Sequence, residues 1–123
     1  MKEILGQAPG KPYSPGTKRG NMLFVSGQLG WDENEDPVAG GVGPQTRQAL
    51  EYVKDILAID GGKLDDVMMV NIYMDDLDRD YDEMNTVYRE YFGSKELPAR
   101  ATVGINRLAK GLLVEISCIA IVD

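Results

Sequence analysis

The chain has 123 residues, of which 43% are apolar and 27% are charged, and its formal net charge is −7. This composition predicts one folded domain over residues 1–123, and the negative charge disfavours general binding to nucleic-acid phosphates. The sequence has no histidine and one cysteine, which excludes Ser-His-Asp and Cys-His catalysis, an intrachain disulfide and most zinc sites.

Two features bear on cellular location. No stretch approaches the roughly 18 consecutive apolar residues of a membrane span, and the N-terminal residues MKEILGQAPG lack the apolar centre of a signal peptide. We therefore expect a cytoplasmic protein with no membrane partner.

Cys118 lies in the apolar run ISCIAIV, which is typical of a buried small side chain and not of a catalytic thiol.

The first half of the chain predicts a strand and a helix. Residues 22–26 (MLFVS) form a short apolar strand that ends at Gly27. Apolar residues at helical spacing then predict a helix that begins near Pro44 and stops before Gly61 and Gly62. A further strand is expected nearer the N-terminus.

The second half predicts three strands and a second helix. An apolar strand over 66–75 precedes a helix over 80–92, and two more strands cover 101–106 and 112–122, with a turn around Lys110-Gly111. This order of elements predicts an α+β fold, in which two helices pack on one face of a mixed sheet.

Alternation within the strands distinguishes the two faces of that sheet, because neighbouring residues of a strand point to opposite sides. The even positions of 112–122 and of 66–75, Met68 among them, are apolar, and we expect the helices to cover them. The odd positions mix apolar residues such as Val67 with polar ones such as Glu115. That face is too apolar for water and too polar for a dry core, which favours a homo-oligomer with polar pockets at its subunit boundaries. A solvated outer face is the weaker alternative.

Arg100 and Glu115 are the candidate catalytic residues. If the apolar residues of the strand over 101–106 face the helices, Arg100 at its entrance faces the half-polar side, as Glu115 does. A guanidinium suits bidentate capture of a carboxylate, and a glutamate can orient or deprotonate a water. From spacing alone, a simple ion pair between the two residues is an equal alternative.

Other polar residues have a structural and a functional interpretation. Ser26 either ends a strand or bonds a ligand, and Tyr13 either packs over a turn or forms the wall of a cleft. Asn85 suits a structural hydrogen bond as well as a ligand contact. An acidic cluster lacks the spacing of a calcium-binding EF-hand and fits a helix N-terminus better, so no metal site is expected. Its members are Asp75, Asp76, Asp78, Asp80 and Asp82.

An ordered set of short segments resembles the RidA/YjgF family. The segments follow the family order over nearly the whole chain. They are Pro12-Tyr13-Ser14, Gly20-Asn21-Met22, Val25-Ser26-Gly27-Gln28, Gln45-Thr46-Arg47-Gln48-Ala49-Leu50, Met84-Asn85-Thr86-Val87-Tyr88, Tyr91-Phe92, Pro98-Ala99-Arg100, Val114-Glu115-Ile116 and Ile119-Ala120.

The resemblance implies a chorismate-mutase-like α+β fold and a homotrimer, in which three sheets surround a central barrel and clefts lie between subunits. It also implies cofactor-free hydrolysis of 2-aminoacrylate and 2-aminocrotonate, or their imine tautomers, to 2-oxoacids and ammonia. Arg100 would grip the substrate carboxylate, Glu115 would position the attacking water, and the Thr102 backbone would bond the substrate nitrogen or the water. The cleft would be lined by Tyr13, Ser26, Gly27 and Asn85.

Other functions stay open for such a chain. A non-catalytic trimer that binds a small ligand would need Arg100 but not water placement by Glu115. A ribonuclease or translation inhibitor, an activity in the names of some relatives, is disfavoured by the acidic charge. Chorismate mutase activity would rest on the fold alone.

Overall fold

The computed structural model describes residues 1–123, which form one six-stranded sheet and two helices. The elements are β1 (Glu3–Leu5), β2 (Gly16–Arg19), β3 (Met22–Leu29), α1 (Val42–Ala58), β4 (Val67–Met74), α2 (Leu77–Phe92), β5 (Ala99–Gly104) and β6 (Val114–Ile121). The strand order is β1-β2-β3-β6-β4-β5, and only β4 and β5 run parallel. The expected α+β fold with a mixed sheet is confirmed.

The ends of the helices follow from local hydrogen bonds. Asp76 accepts a hydrogen bond from the backbone N–H of Arg79 at 3.1 Å, and this cap starts α2 three residues earlier than expected. At the end of α1, Gly61 has a φ of +78°, and the next N–H, that of Gly62, donates to the Leu57 carbonyl at 2.9 Å. Neither helix combines the length and the apolar character that crossing a membrane requires.

The core lies between the sheet and the helices, with α1 packed on β3 and β6 and α2 packed beside α1. Strand β6 alternates as expected, since Val114, Ile116, Cys118 and Ala120 are all buried. Burial raises the pKa of the Cys118 thiol to about 12, so it is an inert core residue. Each fully buried aliphatic side chain, such as Leu50, stabilises the fold by about 1.5–3 kcal/mol.

Strand β4 departs from the expected alternation at its start. Met68, expected in the core, is 56% exposed, and Val67, expected on the other face, is buried. The cause is a register shift between Val67 and Met69 in the pairing with β6, because one extra residue exchanges the faces of the residues before it. From Val70 onward the expected alternation holds.

The face of the sheet opposite the helices carries apolar and polar residues together, as the odd positions predicted. Phe24, Ile119 and Met69 form one row across three strands, and Phe24 is 39% exposed. Val103 and Ile121 are also exposed. We call this surface, which includes Glu115, the open face.

Candidate active site

Arg100 lies on the helix side of the sheet, and the expectation that it faces away from the helices is wrong. Its parallel pairing with Val70 puts both side chains on the same face, and the core residue Val70 fixes which face that is. The apolar residues Ala101 and Val103 take the open face instead. A guanidinium is accommodated on the helix side because β5 is the edge strand, where α2 offers polar groups.

Three neutral side chains of α2 orient the guanidinium. One terminal nitrogen (Nη1) donates to Asn85 Oδ1 at 2.8 Å, and the other (Nη2) donates to the Tyr81 hydroxyl at 3.2 Å. The guanidinium carbon lies 4.7 Å from the centre of the Tyr88 ring, in cation–π geometry. The buried Asn85 therefore has the structural role that the sequence left open, and it holds the functional candidate Arg100.

A cleft of about 250 Å³ opens beside this arginine. No carboxylate is among its lining residues, and Arg100 makes no ion pair within the chain. The alternative of an Arg100–Glu115 pair is therefore excluded within one chain. The cleft is lined by Tyr81, Asn85, Tyr88, Arg89, Leu97, Pro98 and Arg100.

The two tyrosines beside Arg100 respond differently to their surroundings. The Asn85 side chain and the Arg100 charge lower the pKa of the exposed Tyr81 phenol. Burial raises the pKa of Tyr88, and the Arg100 charge only partly offsets this. Tyr81 is thus a polar group at the mouth of the cleft, while Tyr88 acts as its wall.

Glu115 projects from β6 onto the open face, between Leu29 of β3 and Tyr73 of β4. Its carboxylate has no hydrogen-bond or ion-pair partner in the chain, and partial burial raises its pKa. A Cβ placed on Gly27 would lie 2.5 Å from Glu115 Oε2, so any residue other than glycine would force the carboxylate to move. The structure thus brings together Gly27 and Glu115, two of the expected site residues.

Ser26 and Tyr13 lie near Gly27, but the Ser26 side chain is held by a hydrogen bond whereas the Tyr13 side chain is half exposed. The Ser26 hydroxyl donates to the Ser14 carbonyl at 2.6 Å, which ties β3 to the preceding loop. The expectation that the strand ends at Gly27 is wrong, because β3 passes a register shift between Val25 and Gln28 and stays paired with β6 as far as Leu29. Tyr13 is half exposed and lines a groove of about 300 Å³ with Gly27 and Trp31. The Thr102 hydroxyl is buried without a partner, and the role expected for its backbone stays a prediction.

Tyr81 and Arg89 are cleft residues that the sequence interpretation missed. Neither residue is among the candidates named from the sequence. The available indication was spacing, since Tyr81, Asn85 and Arg89 follow one another at four-residue intervals and therefore share one helix face.

Comparison with known proteins decides the family. The model of the family described as endoribonuclease L-PSP matches residues 5–122. The chain belongs to the RidA/YjgF family. A RutC family protein of Pyrococcus horikoshii is 43% identical to this RidA/YjgF protein, over 98% of each chain.

Two relatives carry the names of enzymes. The 3-aminoacrylate deaminase RutC of Acinetobacter baylyi is 44% identical, over 91% of this chain and 88% of its own. The 2-iminobutanoate/2-iminopropanoate deaminase of Dermatophagoides farinae is 34% identical, over 97% and 92%. Among solved structures, one of a Thermotoga maritima protein described as a possible endoribonuclease superposes with a TM-score of 0.91 at 34% identity, covering 100% of this RidA/YjgF chain and 99% of its own. Deaminases are thus present among the relatives of this RidA/YjgF protein.

Proposed function

We propose that this chain hydrolyses 2-imino acids, and the enamines that tautomerise to them, to 2-oxoacids and ammonia without a cofactor. The observation that carries the proposal is the Arg100 guanidinium, oriented by neutral side chains and unpaired with any carboxylate at the edge of a small cleft. The names of two relatives, 3-aminoacrylate deaminase and 2-iminobutanoate/2-iminopropanoate deaminase, support the same reaction class.

Arg100 anchors the carboxylate of the substrate. A guanidinium has five N–H donors, and the bonds to Asn85 and Tyr81 use two of them. The remaining donors suit a bidentate contact with a carboxylate. Because the neighbouring side chains already fix the orientation of the guanidinium, little side-chain entropy is lost when the ligand binds.

Glu115 handles the water and its protons. The substrate reacts as the protonated imine: as the water oxygen bonds to its carbon, the C=N electron pair moves to nitrogen and the carboxylate takes one water proton, which leaves a hydroxyl and an amino group on that carbon. Glu115 then gives this proton to the amino nitrogen, and the C–N bond breaks as ammonia leaves with the bonding pair. The hydroxyl proton passes to the Glu115 carboxylate as the carbonyl of the 2-oxoacid forms, and it leaves with ammonia as ammonium. A pKa raised by burial brings this carboxylate closer to working pH, which suits a group that both accepts and donates.

One chain cannot bring these two residues to one substrate. Arg100 is on β5 and Glu115 is on β6, with β4 between them, and they use opposite faces. Neighbouring strands lie about 4.8 Å apart, so β5 and β6 are about 10 Å apart. The two side chains also point to opposite faces of the sheet, which separates their functional groups further. We propose that a second copy supplies the missing partner, within a homotrimer built on the apolar open face. Tyr13 and the Thr102 backbone are proposed as further contacts in that shared cleft.

The test is a coupled assay in which threonine dehydratase generates the 2-imino acid and the release of ammonia is followed. Wild type should accelerate release, and Arg100→Ala should lower kcat/KM about a hundredfold, as expected for a lost charged contact. Arg19→Ala, which removes the same charge from β2 at the far side of the sheet, should keep full activity. Equal rates for wild type and Arg100→Ala would contradict the proposal. Wild type that binds 2-oxobutanoate without speeding release would instead indicate a binding protein.

A further inference from the structure

The Arg100 cleft contains a second cation. Arg89 of α2 lines the same cleft, is exposed, and makes no ion pair within the chain. In a protein with a net charge of −7, a cleft with two guanidinium groups and no acidic lining residue is a local exception. The anchor for one carboxylate needs only one of these groups.

The helix places Arg89 one turn beyond the residue that orients Arg100. Arg89 lies four residues after Asn85, which accepts the hydrogen bond from Arg100, so both residues share one face of α2. Four residues advance a helix by about 6 Å, so the backbone of Arg89 lies one turn from that of Asn85, and both arginines line one small cleft that a short dicarboxylic acid could span. The charge of Arg89 also reaches Tyr81, whose pKa is lowered by the Asn85 side chain, by Arg100 and, to a smaller extent, by Arg89.

We propose that this cleft is selective for a short 2-imino or 2-oxo dicarboxylic acid, with Arg100 binding the carboxylate next to the reacting carbon and Arg89 binding the distal carboxylate. The inference rests on the proposed function for the role of Arg100 and adds the class of substrate. A ligand with an uncharged side chain leaves Arg89 solvated, so such a ligand makes no charge-assisted contact with this residue. A second carboxylate replaces solvent around Arg89 with a charge-assisted contact.

The test compares two acids of equal chain length that differ only at the far end, 2-oxoglutarate and 2-oxopentanoate, by calorimetric titration at low ionic strength. Wild type should bind 2-oxoglutarate about threefold to tenfold more tightly, the range for one partly exposed charge pair. Arg89→Gln should remove that preference, so that the two acids bind with equal affinity. Arg19→Gln, the matched loss of charge on β2, should keep the preference.

Three outcomes would count against the inference in distinct ways. Equal affinity of wild type for the two acids would overturn the selectivity and leave the role of Arg100 intact. If Arg89→Gln and Arg19→Gln lose the preference for 2-oxoglutarate equally, the preference comes from net charge alone, and the inference is also overturned. Binding of neither acid would contradict the carboxylate anchor itself, and with it the proposed function.

Discussion

Arg100 and Glu115 project from opposite faces of one sheet, and a whole strand, β4, separates the strands that carry them. Each residue is prepared for a different task. Arg100 is held in place by hydrogen bonds and a ring contact, whereas the Glu115 carboxylate is half-buried and unbonded. If both act on one substrate, the substrate lies between two copies of the chain.

The pH dependence of the rate should reveal the ionisation of Glu115. The carboxylate must be charged to take a proton from water, so kcat should fall as the pH drops through its folded-state pKa. Because burial raises that pKa, the midpoint of the fall should lie above the ordinary glutamate value of about 4.3. Glu115→Gln should lower kcat about a hundredfold or more and lose this acid limb, while its affinity for 2-oxobutanoate is kept. An unchanged acid limb in the variant would assign the titration to another group.

The contact between Gly27 and Glu115 can be tested by adding one methyl group. Gly27→Ala would place a Cβ 2.5 Å from Glu115 Oε2, and the carboxylate would have to move. Since small displacements of a catalytic group cost up to about a hundredfold in rate, kcat should fall at least about tenfold. Binding of 2-oxobutanoate at Arg100 and the melting temperature serve as controls and should change little. Full activity in Gly27→Ala would show that the position of Glu115 is not critical.

The open face should be the assembly surface. Phe24 lies on it beside Ile119, outside the core, so Phe24→Glu should leave the fold intact while placing a charge in the proposed interface. Sizing by light scattering should find an oligomer for wild type and a folded monomer without deaminase activity for the variant. Thr86→Glu adds the same charge on an exposed site of α2 and should stay oligomeric. A wild-type monomer with full activity would rule out the shared site.

The sequence predicted most of the fold because its patterns are local. The alternation of β6 and the helical periodicity of α1 need no knowledge of neighbouring strands. The bulge at Met68 could not be read in the same way, because it exists only in the pairing of β4 with β6. The face of Arg100 was misassigned for a related reason. In β5 the residues that alternate with Arg100 are small or apolar, which suggests that they face the core. The register of β5 with β4 shows the opposite, because Arg100 is the residue on the core side.

The candidate site was predicted in part. Glu115 and Gly27 are in contact distance of one another, and Asn85 supports Arg100, so the residues named from the sequence fall into two local groups. Their division between two faces depends on the strand order, which no short motif encodes. Arg89 was accessible through its spacing from Asn85, but a charged residue on a helix is most often merely solvated.

Complementation between two inactive variants tests the shared site most directly. Arg100→Ala retains Glu115, and Glu115→Gln retains Arg100, so a mixed oligomer contains some clefts with both native residues. After subunit exchange in equal amounts, random pairing gives both native residues in about a quarter of the clefts, and about a quarter of wild-type activity should return. If mixed oligomers form, as mass spectrometry can verify, and no activity returns, Arg100 and Glu115 do not act together across two copies.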